Sequence, residues 1–158
     1  MSNIIAGQKL PSFTVEKDGR IIGKGKFAPW SSEALVGEAR VFFAIAGSPV
    51  AAAKVQPVHN KLKEEAPAIK QVQLVNSKES PMGAAMFIRG EFKKSFKKNP
   101  ENTYIHDVKA VAKEALGMDD LSALVAVINS DGEVVYSFEG ECGEVEVASV
   151  MEAIQSVL

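Results

Sequence analysis

The sequence predicts a three-layer α/β sandwich, a mixed central sheet flanked by helices with an N-terminal hairpin extension. Two patterns carry that prediction. Apolar, β-favouring runs alternate with amphipathic helical segments, which in crossover units places helices on the faces of a sheet. The run Arg40-Val41-Phe42-Phe43-Ala44-Ile45-Ala46, stopped by Gly47, is the pattern of a strand buried on both faces. The 158 residues, 46% hydrophobic and 24% charged, suit one domain over residues 1–158 and exclude a disordered, collagen-like or coiled-coil chain. No apolar run approaches the roughly 18–20 residues of a membrane span. A net charge of −2 supplies no global field for nucleic acid or an anionic bilayer, so no nucleic-acid partner is expected. Cys142 is the single cysteine, which excludes an internal disulfide.

In chain order, Phe13-Thr14-Val15 and Arg20-Ile21-Ile22 flank Asp18-Gly19, a tight-turn dipeptide, and read as a hairpin. After the strand at Arg40 to Ala46, Ser48 is placed as an N-cap and Pro49 as the first helical residue, where its missing N–H costs nothing. Ala51, Val55, Val58 and Leu62 then recur at helical spacing, predicting an amphipathic helix from Pro49 to about Glu65 with Pro57 inside it. Val72 to Val75 reads as a short strand, and Met82 to Ile88 is apolar but undecided between helix and strand. A helix near Glu91 to Lys98 carries Phe92 and Phe96 on one face. Tyr104-Ile105 is a further strand, Val108 to Leu116 a helix ended by Gly117, and Leu124 to Ile128 a buried strand. Asp131-Gly132 turns that strand into Val134 to Phe138, and Val145 to Val157 closes the chain as a helix.

This order of strand, helix with an internal proline, strand, helix, hairpin and final helix resembles the thioredoxin-like fold. Leu35-Val36-Gly37-Glu38-Ala39-Arg40-Val41 looks like the lead-in to the first central strand of its secreted thiol-disulfide and peroxiredoxin-like branch. Counting from Gly37, that branch's Cys-x-x-Cys positions fall on Pro49-Val50-Ala51-Ala52, and the place of its cis-proline falls on Ser122-Ala123. A series covering most of the chain is similar to the YtfJ family of exported bacterial proteins: Pro29-Trp30-Ser31-Ser32-Glu33-Ala34-Leu35-Val36-Gly37, Ile45-Ala46-Gly47, Met86-Phe87-Ile88-Arg89, and Ser122 to Asn129 before Asp131-Gly132. The resemblance implies a thioredoxin-like domain without the redox pair and with no agreed activity. It also implies a periplasmic mature chain whose leader precedes Ser2. Met1 to Pro11 itself lacks the basic and apolar regions of a signal peptide, so a cytoplasmic chain is the alternative. Where compared members carry an arginine after the Ala-Gly, this chain has Ser48.

The chemistry of the side chains narrows the reading further. Thiol redox work needs a thiolate of lowered pKa, normally at a helix N-terminus with a second cysteine nearby. Cys142 instead lies among Glu139, Glu141 and Glu144, which disfavour the thiolate. A serine hydrolase built on Ser48 with His59 or His106 as base lacks the Gly-x-Ser-x-Gly elbow, and an N-cap hydroxyl is already committed to a backbone amide. The two histidines have no neighbouring ligands at metal-site spacing, and no phosphate-binding glycine motif is present, so no cofactor or metal is expected. Arg89 with Lys93, Lys94, Lys97 and Lys98 makes one helix basic, while Asp131 to Leu158 holds no Lys or Arg. Phe92 and Phe96 on that helix, and Trp30, read as core anchors; Arg89 reads as a partner for a buried carboxylate or as an anion contact.

Two functional classes follow. The first is a non-catalytic periplasmic binding or adaptor protein for a protein or peptide. Its edge comprises Gly47, Ser48, Pro49, Ser122 and Ala123, where small residues expose backbone and the amides of Ser48 to Val50 are expected to be free. The alternative is a thiol-dependent oxidoreductase or peroxidase-like enzyme using Cys142.

Overall fold

The computed structural model describes residues 2–158. Seven strands form one mixed sheet: β1 (Thr14–Gly23), β2 (Lys26–Ser31), β3 (Arg40–Ala46), β4 (Lys70–Asn76), β5 (Thr103–Asp107), β6 (Ala123–Ile128) and β7 (Val134–Glu139), in the spatial order β2-β1-β5-β4-β3-β6-β7. The central strands β3, β4 and β5 run parallel, while β1 and β6 pair antiparallel to β5 and β3. Four helices complete the sandwich: α1 (Pro49–Glu65), α2 (Ala84–Lys98), α3 (Val111–Leu116) and α4 (Glu144–Val157). A 3₁₀ turn over Ser32–Leu35, absent from the sequence reading, links β2 to β3.

The strand period of two assigns each face of the sheet to its own core. Val41, Phe43 and Ile45 of β3 pack with Ala51, Val55, Val58 and Leu62 of α1 and with Val150 and Ile154 of α4. Phe42 and Ala44 point the other way, into a cluster with Phe13, Trp30, Leu74, Leu124 and Leu116 of α3. Helix α2 covers the β1–β5 flank, where Ile88 and Phe92 meet Ile21 and Tyr104. Its lysines 93, 94, 97 and 98 face solvent.

Several boundaries differ from those read in the sequence. Met82 to Ile88 resolves into α2, which begins at Ala84 and runs unbroken through Gly90 to Lys98. Helix α3 starts at Val111 rather than Val108, because Asp107 at the end of β5 accepts hydrogen bonds from the Val111 and Ala112 amides and fixes the start. The N-terminal hairpin turns at Lys24-Gly25, not at Asp18-Gly19. Lys24 and Gly25 both take positive φ, as the tight turn requires. Asp18 and Gly19 also take positive φ, but inside β1, where the register with β2 shifts between Val15 and Arg20. The pair is therefore a bulge, and Gly19 lies so close to the Ala28 carbonyl that a β-carbon there would overlap it.

His59 on α1 stacks on Phe43, ring centroids 4.2 Å apart and planes 23° from parallel. Burial pushes its pKa down to about 4, so the folded chain holds it neutral. The unfolded chain takes up that proton near pH 6.5, so the contribution to stability is complete above that pH and declines as pH falls toward 4. Denaturation as a function of pH is expected to show that acid loss, of order 3 kcal/mol at most for this group. The His59→Phe variant, which keeps a ring against Phe43, is expected to show a smaller loss between those pH values.

Candidate functional site

The carboxyl ends of β3, β4 and β5 lie side by side, and the expected edge forms there. It is more closed than the sequence suggested. The Ser48 amide donates to the Ala46 carbonyl at 2.7 Å, Pro49 has no N–H, and the Val50 amide donates to Ser48 Oγ at 3.3 Å. The amides expected to be free are thus consumed by the cap itself. The Gly47 amide is committed too: it donates to the Asn76 carbonyl, and Ser80 Oγ and Ile88 occupy the space a side chain would take. Ser122 and Ala123 are buried, with the Ser122 carbonyl accepting from the Ala46 amide. Only Pro49 of the five is exposed, and Gly47 and Ser48 are half-buried.

What the edge exposes instead is apolar. Val50 at the start of α1, Met82, Met86 and Phe87 at the start of α2, and Leu121 are all exposed. Lys54, one turn after Val50, donates to the Leu121 carbonyl, and Ile88, the neighbour of Phe87 on α2, reaches Gly47 just before α1.

Two carboxylates organise the polar groups beneath this rim. Glu79, in the loop after β4, accepts from the Leu121 amide, Asn76 Nδ2 and Lys113 Nζ. Burial alone raises its pKa, but these three donors outweigh burial and hold it below the ordinary carboxylate value. Asp18, aimed inward by the β1 bulge, accepts from Arg89 Nε at 2.7 Å and lies 2.6 Å from His106 Nδ1. Burial again opposes ionisation, and Arg89 and His106 again reverse it. His106 is fully buried, and its other nitrogen, Nε2, is 2.8 Å from Ser77 Oγ. Burial lowers the His106 pKa despite the pull of Asp18, so the ring is neutral; the charged carboxylate then assigns its proton to Nδ1. Neither Asp18 nor Ser77 was singled out in the sequence. Asp18 was hidden in a dipeptide read as a turn, and no local motif marks a serine one residue past a strand.

The remaining candidates are structural. Cys142 is 3% exposed in the loop before α4, and its pKa is pushed up to about 11. Burial is the main cause, with Glu146 adding to it, rather than the nearer-in-sequence Glu139, Glu141 and Glu144. Trp30 packs against Phe13 in the core. Among the described residues no group of His, Cys, Asp and Glu is arranged to hold a metal ion, and no helix is long and apolar enough to cross a membrane.

A model of the bacterial protein family of unknown function YtfJ_HI0045 matches residues 4–157. The chain belongs to this family. An uncharacterized protein, YtfJ, from Escherichia coli is 30% identical over 158 residues, covering 96% of this chain and 86% of the relative. An uncharacterized Haemophilus influenzae protein is 26% identical over 161 residues, covering 98% and 88%. Among solved structures, a proposed thiol:disulfide interchange protein DsbE from Chlorobium tepidum superposes with a TM-score of 0.64 at 18% identity, covering 98% of this chain and 99% of that one. The fold of this YtfJ_HI0045 family member is therefore thioredoxin-like. At the α1 N-terminus it has Pro49-Val50-Ala51-Ala52, with no thiol.

The contact between Gly47 and Ser80 makes a sharp test of the edge. Ser80 Oγ is buried with no hydrogen-bond partner, and such an orphan costs about 1–3 kcal/mol. Ser80→Ala is expected to leave the melting temperature unchanged or raise it. Gly47→Ala, whose new methyl would meet both Ser80 and the Asn76 carbonyl, is expected to destabilise by about 1–3 kcal/mol. The double variant should recover part of that loss in a thermal-melt double-mutant cycle.

Proposed function

We propose that this chain is a non-redox thioredoxin-fold protein of the periplasm that binds polypeptide at its strand-end edge. The observation that carries the reading is that Val50, Met82, Met86, Phe87 and Leu121 are exposed apolar side chains on the segments that meet at this edge, whose Gly47, Ser48 and Val50 amides are already engaged. Exposed apolar side chains gathered on one edge mark an interaction surface, and methionines suit partners of varied shape because their side chains repack readily. Binding therefore rests on side-chain burial rather than on amides at the helix start. Thiol chemistry through Cys142 lacks support, because its sulfur is buried and its pKa stands several units above neutrality. Periplasmic residence is proposed from family resemblance, and an apolar leader ahead of Ser2 in the native gene product is its direct check.

The purified protein is expected neither to reduce insulin with dithiothreitol as donor nor to consume peroxide, and Cys142→Ser should change neither result. Turnover abolished by that substitution would reverse the non-redox reading. For binding, a photo-crosslinking residue at position 86 should capture polypeptide partners in periplasmic extract. The Phe87→Glu substitution should weaken that capture at least tenfold, while Lys97→Glu on the far end of α2 leaves it intact. Loss of capture with Lys97→Glu alone would move the site to the basic helix.

A further inference from the structure

We propose that Ser77, His106 and Asp18 form a second, chemically distinct site, a nucleophile–base–carboxylate relay able to transfer an acyl group from an ester to water. The three residues come from separate parts of the chain, the loop after β4, strand β5 and the bulge of β1, and meet end to end. Ser77 Oγ is 2.8 Å from His106 Nε2, and His106 Nδ1 is 2.6 Å from Asp18 Oδ2. That sequence of contacts is what an activated serine requires: a base within reach of the hydroxyl and a carboxylate that fixes the base's tautomer. Asp18 is a positioning residue here, held in turn by Arg89 at 2.7 Å.

The surroundings fit the same chemistry. Ser77 is half-buried, whereas the imidazole behind it is sealed from solvent. Its backbone is fixed by the Ser77 amide donating to the Asp107 carbonyl and by the Ser80 amide donating to the Ser77 carbonyl. The amide of Lys78, the residue after the nucleophile, donates to no acceptor among the described residues, and this is the position whose N–H commonly stabilises an acyl oxyanion. Next to Ser77 in the chain, Lys78 and Glu79 line an open cleft of about 850 Å³ whose wall also includes Lys113, Asp120 and Leu121.

In the first half-reaction Ser77 Oγ bonds to the ester carbonyl carbon as the bond to the leaving oxygen breaks. The serine proton passes to His106 Nε2 and then to the leaving alkoxide, releasing an alcohol. Water next attacks the acyl-serine and gives its proton to Nε2; the carboxylic acid departs as Ser77 recovers a proton. No oxidant, reductant or metal enters either half. This activity does not depend on the apolar rim and stands if polypeptide binding there fails.

The test uses the full chain with a fluorophosphonate, which labels activated serines, and p-nitrophenyl acetate as ester. The expected result is a phosphonyl adduct on Ser77, located by peptide mass, and ester hydrolysis that falls to the buffer rate in Ser77→Ala. Asp18→Asn preserves the side-chain size and tolerates the positive φ. It is expected to lower kcat about 100-fold, with KM little changed and the acidic limb of the pH profile displaced. Along with Asp18, that limb is subject to Arg89 from α2 and Asp107 from β5 itself. Ser130→Ala, at an exposed serine in the turn between β6 and β7, should leave labelling and hydrolysis intact. A folded wild-type chain with no adduct on Ser77, an adduct on another serine, or hydrolysis surviving Ser77→Ala overturns the proposal. The labelling result needs no variant to fold.

Discussion

A strand with only apolar side chains from Val41 to Ala46 can exist in water only if both of its faces are covered, and that demand arranges the rest of the molecule. Helices α1 and α4 cover one face, and α3 with the Phe13–Trp30 layer covers the other. The pairing partners β4 and β6 satisfy its backbone on both sides. Nothing of β3 is then left for a ligand except its carboxyl end. The location of the candidate edge is a consequence of burial before it is a matter of chemistry.

At that end, polar groups from several elements converge where solvent reaches only part of them, and each must find a partner. Glu79 and Asp18 meet this requirement by collecting donors: Glu79 ties the β4 loop to Leu121 and α3, and Asp18 ties β1 to α2 and β5. Asp107 does the same for the start of α3. The helix at this edge opens on Ser48-Pro49 and carries no thiol there, and the groups nearby that can take part in proton transfer are carboxylates, an imidazole and a hydroxyl.

The fold was legible because its signals are periodic and local. Val55, Val58 and Leu62 at helical spacing, Ser48-Pro49 at the helix start, and the unbroken apolar run of β3 each report burial directly, and α1 and β3 occupy the residues expected of them. The site was less legible for a corresponding reason. Asp18-Gly19 has the composition of a hairpin turn, and it does adopt positive φ, but tertiary pairing with β5 on one side and β2 on the other keeps the strand running through it. Ser77 and His106 carry no motif because their partnership spans 29 positions in the chain. The closure of Gly47 by Ser80 and Ile88 is likewise a long-range packing fact that no spacing records.

The two surfaces of this edge are joined by one loop. Residues between β4 and α2 carry Ser77 and Glu79 at one end and Met82 at the other, so the same short segment supplies the wall of the polar cleft and part of the apolar rim. Leu121 belongs to both as well, exposed on the rim and lining the cleft, and its amide is held by Glu79. A polypeptide seated on Met82, Met86 and Leu121 would therefore bear on the backbone that positions Ser77. The Glu79 network, with donors from β4, α3 and the loop before β6, is what holds that segment in place.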